Sequence, residues 1–131
     1  MKYLISLFVC LLLVLPAYAG DSADITATEL MAQILVGKAP VIVDVRSRRE
    51  YEAGHIPGAI HVSFWSTYWN ADRIPVSGHD PVVVYCAHGP RAGIAGWGLD
   101  LAGIPNVVML KGHMKEWAKL ALPVVTGEYP E

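Results

Sequence analysis

The sequence predicts an α/β domain in which helices cover both faces of a parallel sheet. Short runs of β-branched residues alternate with stretches of helical character along most of the chain. The clearest run, Val82 to Tyr85, is apolar throughout, which is typical of a strand buried on both faces. The 131 residues fit one domain, and the 53% apolar content favours a packed core over disorder.

Two capping boxes predict where the first two helices begin. Thr26 and Glu29 have the required spacing, and so do Ser47 and Glu50. The first box predicts a helix that ends at Gly37, and the second predicts a shorter one. The remaining elements are predicted as a short strand around Ile25, strands at 41–45, 59–62, 81–85 and 107–110, and helices at 92–102 and 114–120.

An aromatic segment separates the third and fourth of these strands. We expect a helix over 64–72, capped by Ser63, with Trp65, Tyr68 and Trp69 packing in the core or at its rim. The alternative is that these rings form a wall of a substrate entrance.

The helix predicted over 92–102 contains Gly93, Gly96 and Gly98. Each glycine costs about 1 kcal/mol relative to alanine inside a helix. The pattern therefore indicates close packing of this helix against the sheet.

The N-terminus has the pattern of a secretory signal peptide. Lys2 precedes an apolar run from Leu4 to Leu15, and Ala17-Tyr18-Ala19 is a small-x-small cleavage site. A retained membrane anchor is the alternative, but the run is short for a span of about 20 residues. We expect cleavage of residues 1–19, export to a periplasm and no stable membrane anchor afterwards.

Cleavage would remove Cys10 and leave Cys86 as the one thiol of the mature chain. Such a thiol is either an apolar filler of the core or a reactive group. The segment around Cys86 favours reactivity because it connects the end of a buried strand to a helix. Ligands of parallel α/β sheets bind at this edge.

The residues that follow Cys86 suit an anion. Gly89 permits unusual backbone angles, Pro90 is well tolerated in a first helical turn, and Arg91 adds a cation. The helix that begins here directs its unpaired N–H groups at the loop. The formal net charge of −2 argues against nucleic-acid binding, so an anion must be held by local groups.

Three segments together resemble the rhodanese domain family. The segment Asp44-Val45-Arg46, with the residues from Glu50 to Ile60, is similar to the first family signature. The loop Cys86-Ala87-His88-Gly89-Pro90-Arg91 resembles the active loop. The residues Val108 to Trp117, followed by Leu122-Pro123-Val124, resemble the C-terminal signature.

The resemblance covers residues 23–126 and implies a three-layer α/β/α fold with a five-stranded parallel sheet. It also implies that Cys86 is catalytic and carries sulfane sulfur as a persulfide. Ala87, His88, Gly89 and Arg91 would bind the substrate. Thiosulfate or a similar donor would supply the sulfur, and cyanide or a thiol would accept it. No metal or organic cofactor is expected, and we expect a monomer.

Two other functions remain open: a module that binds an anion or persulfide without turnover, and a small phosphatase. Related dual-specificity phosphatases place five residues between the cysteine and the arginine, whereas this chain has four. Family members that only bind often lack the cysteine. The chain departs from the family pattern at Ala92, often a hydroxyl residue, and at His113, often the second glycine of a pair.

Several polar residues outside the loop are interpreted as structural. Asp44 and Arg46 follow a buried strand, where a carboxylate can bond loop amides. His55 and His61 lack the neighbours of a metal site. Inside the loop, His88 is expected to face solvent. The basic residues near the C-terminus are interpreted as a solvated helix face: Lys111, Lys115 and Lys119. As an alternative, Lys111 could help to attract an anion.

Overall fold

A computed structural model describes residues 24–127. The predicted leader, including Cys10 and its cleavage site, lies outside these residues and stays a prediction. Within the described range, no helix is long and apolar enough to cross a bilayer. The elements, in chain order, are α1 (Ala27–Leu35), β1 (Val41–Asp44), α2 (Arg48–Ala53), β2 (Ile60–His61), two 3-10 turns (Phe64–Ser66 and Ala71–Arg73), β3 (Val82–Tyr85), α3 (Pro90–Leu101), β4 (Val107–Met109) and α4 (His113–Lys119).

The strands form a parallel sheet in the order β2-β1-β3-β4. The sheet therefore has four strands in the described residues, one fewer than the five expected. Ile25 occupies the position of the fifth, next to β4, but it makes only a single bridge to Leu110. Its N–H donates to Met109 at 2.9 Å and its carbonyl accepts from Lys111 at 2.8 Å. The chain enters α1 two residues later, so this pairing cannot extend beyond Ile25 in that direction.

Successive residues of the central strands point to opposite faces, and each face has its own core. On β3, Val82 and Val84 pack with Cys86 and α3, while Val83 and Tyr85 pack with α1, α2 and α4. All four residues of β3 are buried. This explains the uninterrupted apolar run in the sequence, since neither face of the strand meets solvent.

Both predicted capping boxes are present. The hydroxyls of Thr26 and Ser47 accept from the backbone N–H of Glu29 and Glu50, and each glutamate accepts in return from the backbone of its cap. The observed starts of α1 and α2 follow directly from these four residues.

The expected helix over 64–72 is replaced by two separate 3-10 turns. Ser63 makes no side-chain cap hydrogen bond, so its expected role as a helix cap was wrong. Of the places expected for the three rings, the core is excluded, because Trp65, Tyr68 and Trp69 are 69%, 50% and 74% exposed.

Close packing of α3 against the sheet is confirmed at Gly96, and a second glycine packs tightly against the aromatic segment instead. A Cβ at Gly96 would lie 2.9 Å from Met109 on β4, and one at Gly98 would lie 2.5 Å from the hydroxyl of Thr67. A Cβ at Gly93 would meet open space, so packing does not explain that glycine.

Candidate active site

Cys86 lies where the sequence predicts, immediately after β3 at the carboxyl edge of the sheet. Only 1% of the residue is exposed, and it belongs to the core between the sheet and α3. Its sulfur accepts a hydrogen bond of 3.0 Å from the backbone N–H of Gly89. The loop thus folds back over the thiol and directs an amide donor at it.

Gly89 makes this geometry possible. Its φ of +133° and ψ of −49° lie outside the regions that residues with a Cβ adopt readily. Gly89 is also the N-cap of α3, and Pro90 is the first helical residue. The helix begins two residues before the predicted start at Ala92, which brings its N-terminus to the edge of the loop. Pro90 suits the position because a residue there needs no N–H for the helix.

Arg91 is held by a residue that sequence reasoning had assigned only to capping. Its two terminal nitrogens donate to the two carboxylate oxygens of Glu50 at 2.7 and 2.9 Å. This two-bond arrangement fixes both the position and the plane of the guanidinium. The charge of Arg91 is also close enough to Cys86 for the two groups to interact electrostatically.

Glu50 connects α2 to the active loop through this pair. The hydrogen bonds from Arg91, followed by those from Ser47, lower the pKa of Glu50 to about 2 despite some opposing burial. The carboxylate is therefore ionised, and the pair intact, at every pH well above that value. One carboxylate both caps α2 and holds the arginine at the start of α3.

The start of α4 holds the other side of the loop. The backbone N–H groups of Met114 and Lys115 donate to the carbonyls of Cys86 and Ala87, each at 3.0 Å. The Nδ1 atom of His113 accepts a hydrogen bond of 3.2 Å from the backbone N–H of Cys86. Three consecutive residues of α4 therefore fix the peptide groups on both sides of the cysteine.

An open groove of about 450 Å³ lies beside the loop. Arg46, His88 and Lys115 give it a basic character, although the Arg46 side chain is almost fully buried. His88 is exposed, as expected. From the sequence, Lys115 was interpreted as part of a solvated helix face. Its position at the start of a helix that directly follows a strand could have indicated that it lies near the site. The groove is lined by Arg46, Ala87, His88, Met114, Lys115 and Ala118.

A buried polar cluster supports the same edge of the sheet. Asp44 is 0% exposed and accepts from the backbone and the side chain of Arg46, and from the hydroxyl of Tyr85 at 2.8 Å. The Arg46 guanidinium also lies over the Tyr85 ring, 5.6 Å from its centre. Burial raises the pKa of the Tyr85 hydroxyl, so it stays protonated and donates to Asp44. The structural interpretation of Asp44 and Arg46 agrees with these contacts.

The two histidines considered as metal ligands, His55 and His61, have structural contacts. His55 stacks on Tyr51 with ring centres 3.7 Å apart, and its Nδ1 bonds the Tyr51 carbonyl. The Nε2 of His61 bonds the carbonyl of Arg46. Among residues 24–127, no group of three or more His, Cys, Asp or Glu side chains could hold a metal ion.

Comparison with known proteins agrees with the fold. The profile of the rhodanese-like domain family matches residues 26–120. The thiosulfate sulfurtransferase GlpE of Pseudomonas fluorescens is 38% identical over 87 residues, which cover 66% of this chain and 77% of that protein. The HTH-type transcriptional regulator Rv0324 of Mycobacterium tuberculosis is 36% identical over 112 residues, which cover 82% of this chain but only 47% of the regulator. This chain thus spans about half the length of that relative.

One solved structure bears on the phosphatase alternative. RPA3614 of Rhodopseudomonas palustris, a protein of unknown function described as a possible tyrosine phosphatase, has a TM-score of 0.64 to this chain at 26% identity. The match covers 78% of this chain and 83% of that one.

Proposed function

The chain belongs to the rhodanese-like domain family, and from this premise we propose that it is a sulfurtransferase that carries sulfane sulfur on Cys86. The observation that carries the proposal is the hydrogen bond from the Gly89 amide to the Cys86 sulfur, at the junction of β3 and α3. An amide donor and a helix N-terminus both favour a negative charge on that sulfur. The identity to a thiosulfate sulfurtransferase supports the same chemistry.

The proposed reaction has two steps. The Cys86 thiolate attacks the outer sulfur of thiosulfate, a sulfur–sulfur bond forms to Cys86, and sulfite leaves with the electron pair of the bond that breaks. Cyanide or a thiolate then attacks the terminal sulfur of the persulfide, and Cys86 returns as a thiolate. Atoms and electrons balance without a cofactor.

The charges beside the loop fit an anionic donor. The groove presents His88 and Lys115 next to the loop, and Arg91 is fixed at the start of α3. Because Cys86 is 1% exposed, the loop must open slightly for a donor to reach its sulfur. We assign the orientation of thiosulfate to Arg91 and to the loop residues Ala87, His88 and Gly89.

Intact mass spectrometry tests this function directly. After incubation of the full chain with thiosulfate, we expect a gain of one sulfur atom that is lost on addition of cyanide. Cys10→Ser should gain the same mass, since the proposed carrier is Cys86. A chain that gains no sulfur, yet binds thiosulfate, would instead be a binding module.

The phosphatase alternative makes a different prediction. The loop has four residues between Cys86 and Arg91, and its amide donor already contacts the sulfur at 3.0 Å. We expect no hydrolysis of an aryl phosphate above background. Turnover of p-nitrophenyl phosphate that requires Cys86 would favour the phosphatase.

Arg91→Ala should lower kcat/KM for thiosulfate by about 10- to 100-fold, the range expected for loss of hydrogen bonds between charged groups. Arg91→Lys should also be impaired, because one ammonium cannot reproduce two parallel bonds to Glu50. Arg49→Ala, at an exposed position of α2, controls for the loss of a positive charge. Steady-state kinetics with thiosulfate and cyanide measure the effect, and an Arg91→Ala enzyme as active as Arg49→Ala would contradict the assigned role.

A further inference from the structure

His113 combines an unfavourable backbone with a specific contact to the active loop. Its φ is +52°, in the left-handed region where residues with a side chain are disfavoured. It follows Gly112, whose φ is +76°, so two successive residues adopt this conformation. Glycine would adopt it without strain, which means that the imidazole is retained at a cost.

The imidazole touches the loop at two points. Its Nδ1 accepts from the backbone N–H of Cys86 at 3.2 Å. Its opposite edge lies under Gly89, where an added Cβ would be 3.6 Å from Nε2 and 3.7 Å from Cδ2. The ring therefore spans the loop from the residue that bears the sulfur to the residue that donates to it.

The hydrogen bond from the Cys86 N–H defines the protonation state of the His113 imidazole. A backbone N–H can only donate, so Nδ1 must carry a lone pair, and the proton of the neutral ring is on Nε2. A second proton could bind only at Nδ1, where it would oppose the Cys86 N–H and remove the hydrogen bond.

We infer that His113 is a positioning residue that holds the backbone of Cys86 only while its imidazole is neutral. Met114 and Lys115 hold the neighbouring carbonyls whatever the pH, because their donors are backbone N–H groups. His113 contributes the part of this support that depends on protonation. The inference deepens the proposed function, since it concerns how the sulfur carrier is held.

The charges around His113 indicate the pH at which this support is lost. Burial lowers the pKa of His113 below the usual range for histidine; Asp24, ahead of α1, raises it, and His88, in the loop, lowers it. The neutral form is therefore present at neutral pH and persists into mild acid. As the pH falls through the lowered pKa, Nδ1 binds a proton and the hydrogen bond to Cys86 is lost.

The amide signal of Cys86 tests the contact without any need for turnover. In the full chain labelled with 15N-cysteine, Cys10→Ser identifies the Cys86 signal by removing the other one. We expect this signal to shift with a midpoint below pH 6.5, the ordinary value for histidine. We also expect its protection factor, the ratio of the intrinsic to the observed hydrogen-exchange rate at each pH, to fall below that midpoint.

Two variants distinguish the effect of losing the His113 side chain from the effect of relieving the backbone strain. His113→Gly relieves the positive φ but removes the acceptor, so Cys86 amide exchange should accelerate about tenfold at neutral pH. His113→Asn tolerates the left-handed conformation and places an oxygen near the position of Nδ1. It should preserve protection and abolish the pH dependence. His79→Asn, exposed in the turn before β3 at the opposite edge of the sheet, should behave like the parent chain.

Kinetics then connect the contact to sulfur transfer. We expect kcat/KM for thiosulfate to fall about tenfold in His113→Gly and to be retained in His113→Asn at neutral pH. A Cys86 amide that does not titrate, or that stays protected in His113→Gly, would overturn the inference. If the Cys86 amide signal titrates as expected but the chain transfers no sulfur, the role of His113 would be supported and the proposed function refuted.

Discussion

Cys86→Ser should reduce sulfur transfer from thiosulfate to cyanide by at least about 10³-fold, which is typical of losing a nucleophile. A serine hydroxyl is not ionised near neutral pH, and it cannot carry a second sulfur as a persulfide. The substitution is small and the Gly89 amide can donate to the new oxygen as it does to the sulfur, so the fold should survive. Thiocyanate formation measures the activity, and circular dichroism checks the fold.

The matched control is Cys10→Ser, which changes the other cysteine and should leave thiocyanate formation at the parent rate. The pair of variants also distinguishes enzymatic transfer from slow reaction at any accessible thiol. Equal rates for Cys86→Ser and the parent chain would refute the proposed mechanism. Loss of activity in both variants would refute the assignment of the reaction to Cys86 alone.

The position of Cys86 could be predicted because it depends on local patterns. An uninterrupted apolar run ends at Tyr85, and a glycine and a proline then precede a helix. Parallel strands place such junctions at one edge of the sheet, whatever the details of packing. The capping boxes could be predicted equally well, because each is formed by residues three positions apart.

The residues that contact the loop could not be predicted from the sequence in the same way. Glu50 and Arg91 are 41 positions apart, and Cys86 and His113 are 27 apart. Such pairs form only when α2 and α4 pack against the carboxyl edge of the sheet. Sequence reasoning noted that His113 replaces a common glycine, but only the fold shows what its side chain contacts.

The expectations that failed concern segments in which tertiary contacts override local propensity. The hydroxyl of Thr67 is buried and bonds the carbonyls of Phe64 and Ala95, which ties the aromatic segment to α3 as short turns. Close contact with Gly98 helps to explain why this segment packs through Thr67 while its large rings face outward. Local sequence could not predict either contact.

Asp44→Ala should destabilise the domain by about 3–5 kcal/mol, the cost of leaving a buried charge without its partner. Arg46 is 6% exposed; burial alone would lower its pKa, but the bonds and charge of Asp44 outweigh that and raise it. Without Asp44, the buried guanidinium would lose its carboxylate and the Tyr85 hydroxyl would lose its acceptor. Urea unfolding followed by tryptophan fluorescence measures the change, since Trp117 is fully buried in the folded chain.

Glu52→Ala is the matched control, because it removes a carboxylate from an ion pair at the surface. Glu52 pairs with Arg48 one helical turn away, and both side chains are partly or largely exposed. Such pairs contribute about 0.3–0.5 kcal/mol, so the midpoint of unfolding should hardly move. If Asp44→Ala were as stable as Glu52→Ala, the cluster of Asp44, Arg46 and Tyr85 would not be what holds together the ends of β1 and β3. Because Cys86 follows β3 directly, that result would also remove the cluster from the support of the active loop.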